Sequence, residues 1–88
     1  MHPVEDYASW RVAYDEFDDF RRNSGIVGDA VSRELDNPNR VIVYHQARDV
    51  SALRAFVDSA ELRDAMPRAG VVGDPDIRFI EVVGFAKY

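Results

Sequence analysis

Cysteine is absent from this 88-residue chain. That excludes disulfides, thiolate nucleophiles and cysteine-based metal sites, and it fits a reducing, cytoplasmic compartment. Lysine is nearly absent as well, with Lys87 the single one. Eleven basic residues face sixteen acidic ones, for a formal net charge of −5. A nucleic-acid partner would need clustered Lys and Arg, and a membrane surface would need a polybasic patch, so neither partner is expected. No apolar run approaches the roughly 20 residues of a membrane helix. The opening MHPVEDYASW has neither the basic flank nor the apolar stretch of a secretory signal. Histidine is scarce: His2 and His45 have no neighbours at ligand spacing, so no metal site is expected. No phosphate loop is present, because GVVGDP (Gly70–Pro75) precedes a strand pattern rather than a helix.

What is present suits one domain over residues 1–88. Hydrophobic residues make up 47% of the chain, the balance of a folded protein. A domain this small buries only roughly 60–65% of the surface its unfolded chain exposes. Burial against a second copy would therefore add stability.

Apolar side chains recur at helical spacing in Val4, Tyr7, Trp10, Tyr14 and Phe17, with Ala13 and Phe20 widening the stripe. This predicts a helix over Glu5–Ser24, with Asp15, Glu16, Asp18 and Asp19 on its solvated face and Gly25 as its stop. Gly28–Leu35 and Arg40–Ala47 read as a hairpin about the turn DNPN. Asp49 caps a helix over Val50–Asp58, and a second capping pattern at Asp58–Glu61 starts another that Pro67 should end at Met66. The alternation from Asp76 to Phe85 predicts a last strand. Helix, strand, strand, helix pair, strand is an α+β order, an antiparallel sheet with helices on one face.

The segments VEDYASWRVAYD, DNPNRVIV, LRAFVDSAELRDAM and RAGVVGDPDIRFIE, in this order and spacing, resemble the dimeric α+β-barrel proteins. These are a ferredoxin-like superfamily that includes antibiotic-biosynthesis monooxygenases, and the resemblance runs from about Val4 to Glu81. It implies a β-α-β-β-α-β fold with strand order 4-1-3-2 and a homodimer whose sheets pack face to face. It also implies a small-molecule cavity between sheet and helices. One departure is plain. Only MHPV precedes the first helix, so the first strand is rudimentary or missing. Either the natural start lies upstream, or the tail VVGFAKY fills the slot, from the same chain or exchanged across the dimer. A flat three-stranded sheet is the remaining alternative.

The resemblance implies a cofactor-free monooxygenase or cyclase acting on a small aromatic or polyketide-like compound. A non-catalytic dimeric binding or accessory domain is the alternative. An RNA-binding sheet of similar topology is disfavoured, lacking its basic-glycine-aromatic strand motif. If Leu35 pairs with Arg40, His45 shares a face with Ala30, Ser32, Glu34, Val41 and Val43, while Val31, Arg33 and Tyr44 lie on the other. His45 is then the candidate general base or hydrogen-bond donor, the alternative being a histidine hydrogen-bonded at the sheet edge or dimer interface, and Tyr14 brings a hydroxyl where the family pattern has Phe. Trp10, Tyr7, Ser32, Phe56 and Met66 are candidates for the pocket wall, although the aromatic stripe and Met66 suit a plain core equally. Arg33 needs an acidic partner or an anion; an interface ion pair, with Glu81 a plausible partner, is expected ahead of a substrate carboxylate.

Overall fold

The computed structural model describes residues 2–88. Its elements run β1 (His2–Pro3), α1 (Tyr7–Glu16), α2 (Asp18–Asn23), β2 (Ile26–Arg33), β3 (Arg40–Ala47), α3 (Val50–Val57) and α4 (Ala60–Arg68). Helix starts fall where the sequence offers a side-chain oxygen to free N–H groups. The Asp6 carboxylate accepts from the Ser9 N–H at 3.0 Å, Asp49 from Ala52 at 2.7 Å, and the Ser59 hydroxyl from Leu62 at 3.2 Å.

The first helix differs from the single one expected. It breaks at Phe17, whose N–H bonds the Tyr14 carbonyl at 3.2 Å, an i→i+3 contact that tightens the turn. The last helix also differs. It passes Met66 and ends at Arg68, with Pro67 inside it. Proline forfeits its own N–H bond, but in the last turn little helix remains to be lost. The Ala69 N–H still reaches the Ala65 carbonyl at 2.9 Å. The stop is Gly70, at φ +89°. There the Gly70 and Val71 N–H groups donate to the Pro67 and Met66 carbonyls, both at 3.1 Å, closing the helix end as a Schellman motif.

The antiparallel sheet has the order β1-β3-β2. A single bridge, Val4 to Val71, continues it beyond β1. The Val4 N–H donates to the Asn39 carbonyl on the β3 side, while Glu5 and Val72 exchange bonds with Gly70 and Pro3 on the other. Residue 71 thus stands beside β1 where a fourth strand stands in a 4-1-3-2 order. The ladder stops after one bridge for a chemical reason. In the next antiparallel pair, Pro3 opposite Val72, Pro3 has no N–H to give. The expected strand over Asp76–Phe85 does not form. That segment is irregular, and it leaves Phe85 89% and Val83 91% exposed. Val82–Tyr88 therefore does not fill the missing slot from within its own chain.

Helices cover one face of the sheet. Trp10 packs there with Val4 and Val41 at the centre of the core, and Tyr7, Tyr14, Val31 and Val43 close around them. Truncating a buried tryptophan costs about 3–5 kcal/mol, a large share of the about 5–15 kcal/mol that holds a small domain together. A second cluster of rings, Phe17, Phe20 and Phe56, seats α3 on the end of the first helix pair.

Gly25, at φ +88°, turns the chain from α2 into β2, and its carbonyl accepts from the Arg48 N–H at 2.9 Å. A methyl group there would lie 3.1 Å from Arg48 Nε and 3.3 Å from Ala52 Cβ. Gly25→Ala is expected to lower stability by about 1–2 kcal/mol, read as a shift in the urea midpoint.

Candidate functional site

The hairpin register decides which side chains meet. Arg33 pairs with Val41, Val31 with Val43 and Asp29 with His45. This is one residue away from the register expected with Leu35 opposite Arg40. The turn accounts for the shift. The Arg40 N–H bonds the Asn37 carbonyl at 3.0 Å, and the Asn37 side chain accepts from the Asn39 N–H at 3.2 Å. Asn39 in turn accepts from the Tyr7 N–H at 2.9 Å, tying the turn to the start of α1. Glu34 then faces Arg40 across the loop. Because side chains alternate along a strand, the slip exchanges the β2 residues beside His45. Asp29, Val31 and Arg33 join its face. Ser32 pairs with Ile42 on the opposite, helix-free face and does not line the cavity.

Three polar groups converge on one hydroxyl. Tyr14 stands one helical turn beyond Trp10, their rings stacked at 4.9 Å, and Trp10 is held by the core. That fixes where the Tyr14 hydroxyl lies. It donates to the Asp29 carboxylate at 2.5 Å and stands 3.3 Å from His45 Nε2. The hydroxyl has a single proton, and Asp29 accepts it in a hydrogen bond. With that proton so directed, the phenolic oxygen suits the His45 tautomer protonated on Nε2, which leaves the lone pair on Nδ1. Phe56 meets the His45 ring edge-on at 5.4 Å.

Burial pushes the Tyr14 phenol well above its ordinary range, and its bond to Asp29 adds to that. Burial also lowers the His45 imidazole below its ordinary 6.5, and the Arg21 charge lowers it further while Asp29 opposes the shift. Both groups are neutral near pH 7. Arg21, 4% exposed, lays its guanidinium 3.7 Å from the centre of the Tyr14 ring, a contact worth about 2 kcal/mol when water is excluded.

Beside this cluster lies a cavity of about 570 Å³ with mostly apolar walls. Trp10, Tyr14, His45, Phe56 and Met66 line it. Tyr7 does not; it lies under the Arg33 guanidinium, at 4.4 Å. Arg33 therefore rests on an aromatic ring rather than pairing with Glu81, which sits in the exposed tail. The far wall is built by Pro75–Ile80, where Phe79 takes Arg54 over its ring at 4.6 Å. One side of the cavity follows the edge of β3 beyond Val41, because β1 pairs only with Arg40 and Val41.

Three groups in or beside the cavity escape sequence reasoning. Asp29 is hidden by the register slip. Arg21 reads as a cation suited to the end of a helix, yet it lies seven residues, two turns, from Tyr14 and so on the same face. His2 also lines the cavity, with a buried Nε2 that has no partner among the described residues. Among those residues, no three His, Asp or Glu side chains gather as a metal site. No helix is long and apolar enough to cross a membrane. Compared with known proteins, the chain matches no family model, no curated sequence and no solved structure.

The depressed His45 sets a pH dependence. In the unfolded chain the imidazole titrates near 6.5, and in the fold it titrates lower. Between the two values the unfolded state binds more protons, so stability falls as pH drops below 6.5 and levels off once the folded value is passed. His2 shifts in the same sense. In urea titrations at pH 7.5 and 5.0, wild type should lose more stability on acidification than His45→Gln does. Equal losses would place His45 in an unperturbed setting.

Proposed function

We propose that this chain binds a small, flat, largely aromatic compound in the cavity beside His45 and begins a reaction on it by removing a proton. The observation that carries this reading is the convergence of a neutral histidine, a tyrosine hydroxyl and a buried arginine on one apolar cavity of about 570 Å³. Apolar walls with a few convergent polar groups are the usual form of a small-molecule site. His45 is unprotonated at neutral pH, oriented by Tyr14, and keeps Nδ1 free to accept. Cofactor-free oxygenation by O2 and aldol-type cyclisation both start with proton loss from an activated carbon or hydroxyl. The resemblance to the antibiotic-biosynthesis monooxygenase group leads to the same reaction class. Binding without turnover is the second reading, favoured by one detail: the Nε2 side of His45 is already occupied by Tyr14.

The test uses anthrone, which has an acidic ring carbon and is oxidised to a coloured quinone. Isothermal titration should detect binding, and oxygen uptake should report turnover. His45→Ala is expected to cut the rate by about 10²-fold or more, the usual share of a general base, with binding retained. Rate should rise with pH through the His45 titration. Binding with no uptake at any pH supports the accessory-domain reading. No binding of anthrone, quinones or related fused rings removes the proposal.

The active form is proposed to be a homodimer, a dimeric α+β barrel. Two features support it. The helix-free sheet face carries Ala30, Ile42 and Tyr44, and β3 has an unpaired edge from Ile42 to Ala47 on the β1 side among the described residues. The apolar Ile80–Tyr88 tail, exposed along its length, matches the partner that such an edge requires. Light scattering at micromolar concentration should give twice the 10.0 kDa chain mass. A chain ending at Ile80 should run as a monomer with a lower Tm. A full-length monomer at that concentration would refute the dimer.

A further inference from the structure

Arg21 is the one charged side chain buried among the described residues. Its side chain is 5% exposed, yet its one polar contact among the described residues is Nη2 to Asp18 at a long 3.5 Å. The Asp18 carboxylate is shared with Arg22, whose Nε takes its other oxygen at 2.8 Å, so Arg21 holds only the longer half of that pairing. Its Nε and Nη1 groups have no hydrogen-bond partner among those residues. A guanidinium presents five N–H donors in a planar fork, and a buried cation with unused donors is costly unless something pairs with it. The Tyr14 ring under it supplies a face, not an acceptor. Asp29 is close enough to share Tyr14 but is bound to its hydroxyl. The remaining direction is the cavity, which Arg21 lines together with Tyr14 and His45.

We propose that Arg21 is the anion-binding residue of this cavity, and that the natural ligand is an aromatic compound bearing an anionic oxygen, foremost a carboxylate. This inference rests on the small-molecule reading above and narrows it to a substrate class. Trp10, Phe17 and Phe56 receive the ring system, and the Arg21 fork receives the acid. The same placement serves proton removal at His45, because a cation beside the reacting ring stabilises the negative charge left behind.

The experiment compares 2-naphthoate with 2-naphthamide, which share a ring system and nearly a shape but differ in charge. Isothermal titration with the full chain should show naphthoate bound about tenfold or more tighter, the worth of one charge-assisted hydrogen bond. Arg21→Gln should bring the two affinities together by weakening naphthoate alone. If that variant does not fold, as judged by circular dichroism, Arg21→Lys keeps the charge but loses the fork. It should weaken naphthoate several-fold while leaving the amide unchanged. Equal affinities in wild type would overturn the role of Arg21 and leave the cavity reading standing. A preference for the acid that survives both substitutions would assign the charge to another group and equally overturn it. Failure of both naphthyl compounds to bind would bring down the small-molecule reading itself, and this inference with it.

Discussion

The burial of Trp10 against Val4 and Val41 is the contact on which the rest of the molecule depends. The sheet is minimal, a long hairpin with a two-residue strand at its side, and it has little of its own to hold a helix. The indole fixes α1 to that sheet at one point. Helical geometry then sets the position of every later side chain on that face, because a residue four positions on lies one turn away. That residue is Tyr14, and its hydroxyl reaches the sheet where Asp29 and His45 stand directly opposite each other on neighbouring strands. Seven residues beyond Tyr14, Arg21 comes over its ring. A packing contact and a helical repeat thus bring four polar groups to one place.

The chemistry of Tyr14 and His45 is set by their partial burial. Each of His45 and Tyr14 avoids charge because burial penalises the ionised form, and the Arg21 cation makes protonation of His45 harder still. The outcome is a neutral base and a neutral hydroxyl beside a permanent cation. In the proposed reaction the permanent cation would favour negative charge developing on a ligand, while the neutral base would take the proton that creates it. The two effects reinforce each other without any side chain changing its resting state near pH 7.

Much of the architecture was legible in the residues, and the reasons are local. Asp49 and Ser59 offered oxygens to helix starts, Gly25 and Gly70 offered positive φ at helix ends, and the alternation of VIVY marked β3. The features that escaped a reading of the residues are non-local. The register of the hairpin turned on Asn39, which bonds to the first turn of α1 some thirty residues earlier. No pattern within DNPN reports that bond. One residue of slip took Ser32 off the site face and put Asp29 on it. The last strand was misread for a related reason. Its alternation is real, but a strand needs a neighbour, and Pro3 withholds the N–H that the ladder beyond Val71 requires.

The proposed ligand binding and the proposed dimer are therefore one physical problem in this chain. The cavity is bounded on one side by helices and on another by an edge of β3 whose backbone groups have no strand partner among the described residues. Its far wall is the start of a tail that continues into solvent as a row of apolar side chains. An unpaired edge and an unpaired apolar segment in the same molecule invite each other across a two-fold axis, since each copy then supplies what the other lacks. Closing the edge in that way would also exclude water from the side of the cavity where His45 sits. Desolvation keeps His45 neutral and would make Arg21 a stronger partner for the proposed anion. The pairing that would stabilise so small a domain would thus sharpen the chemistry of its site.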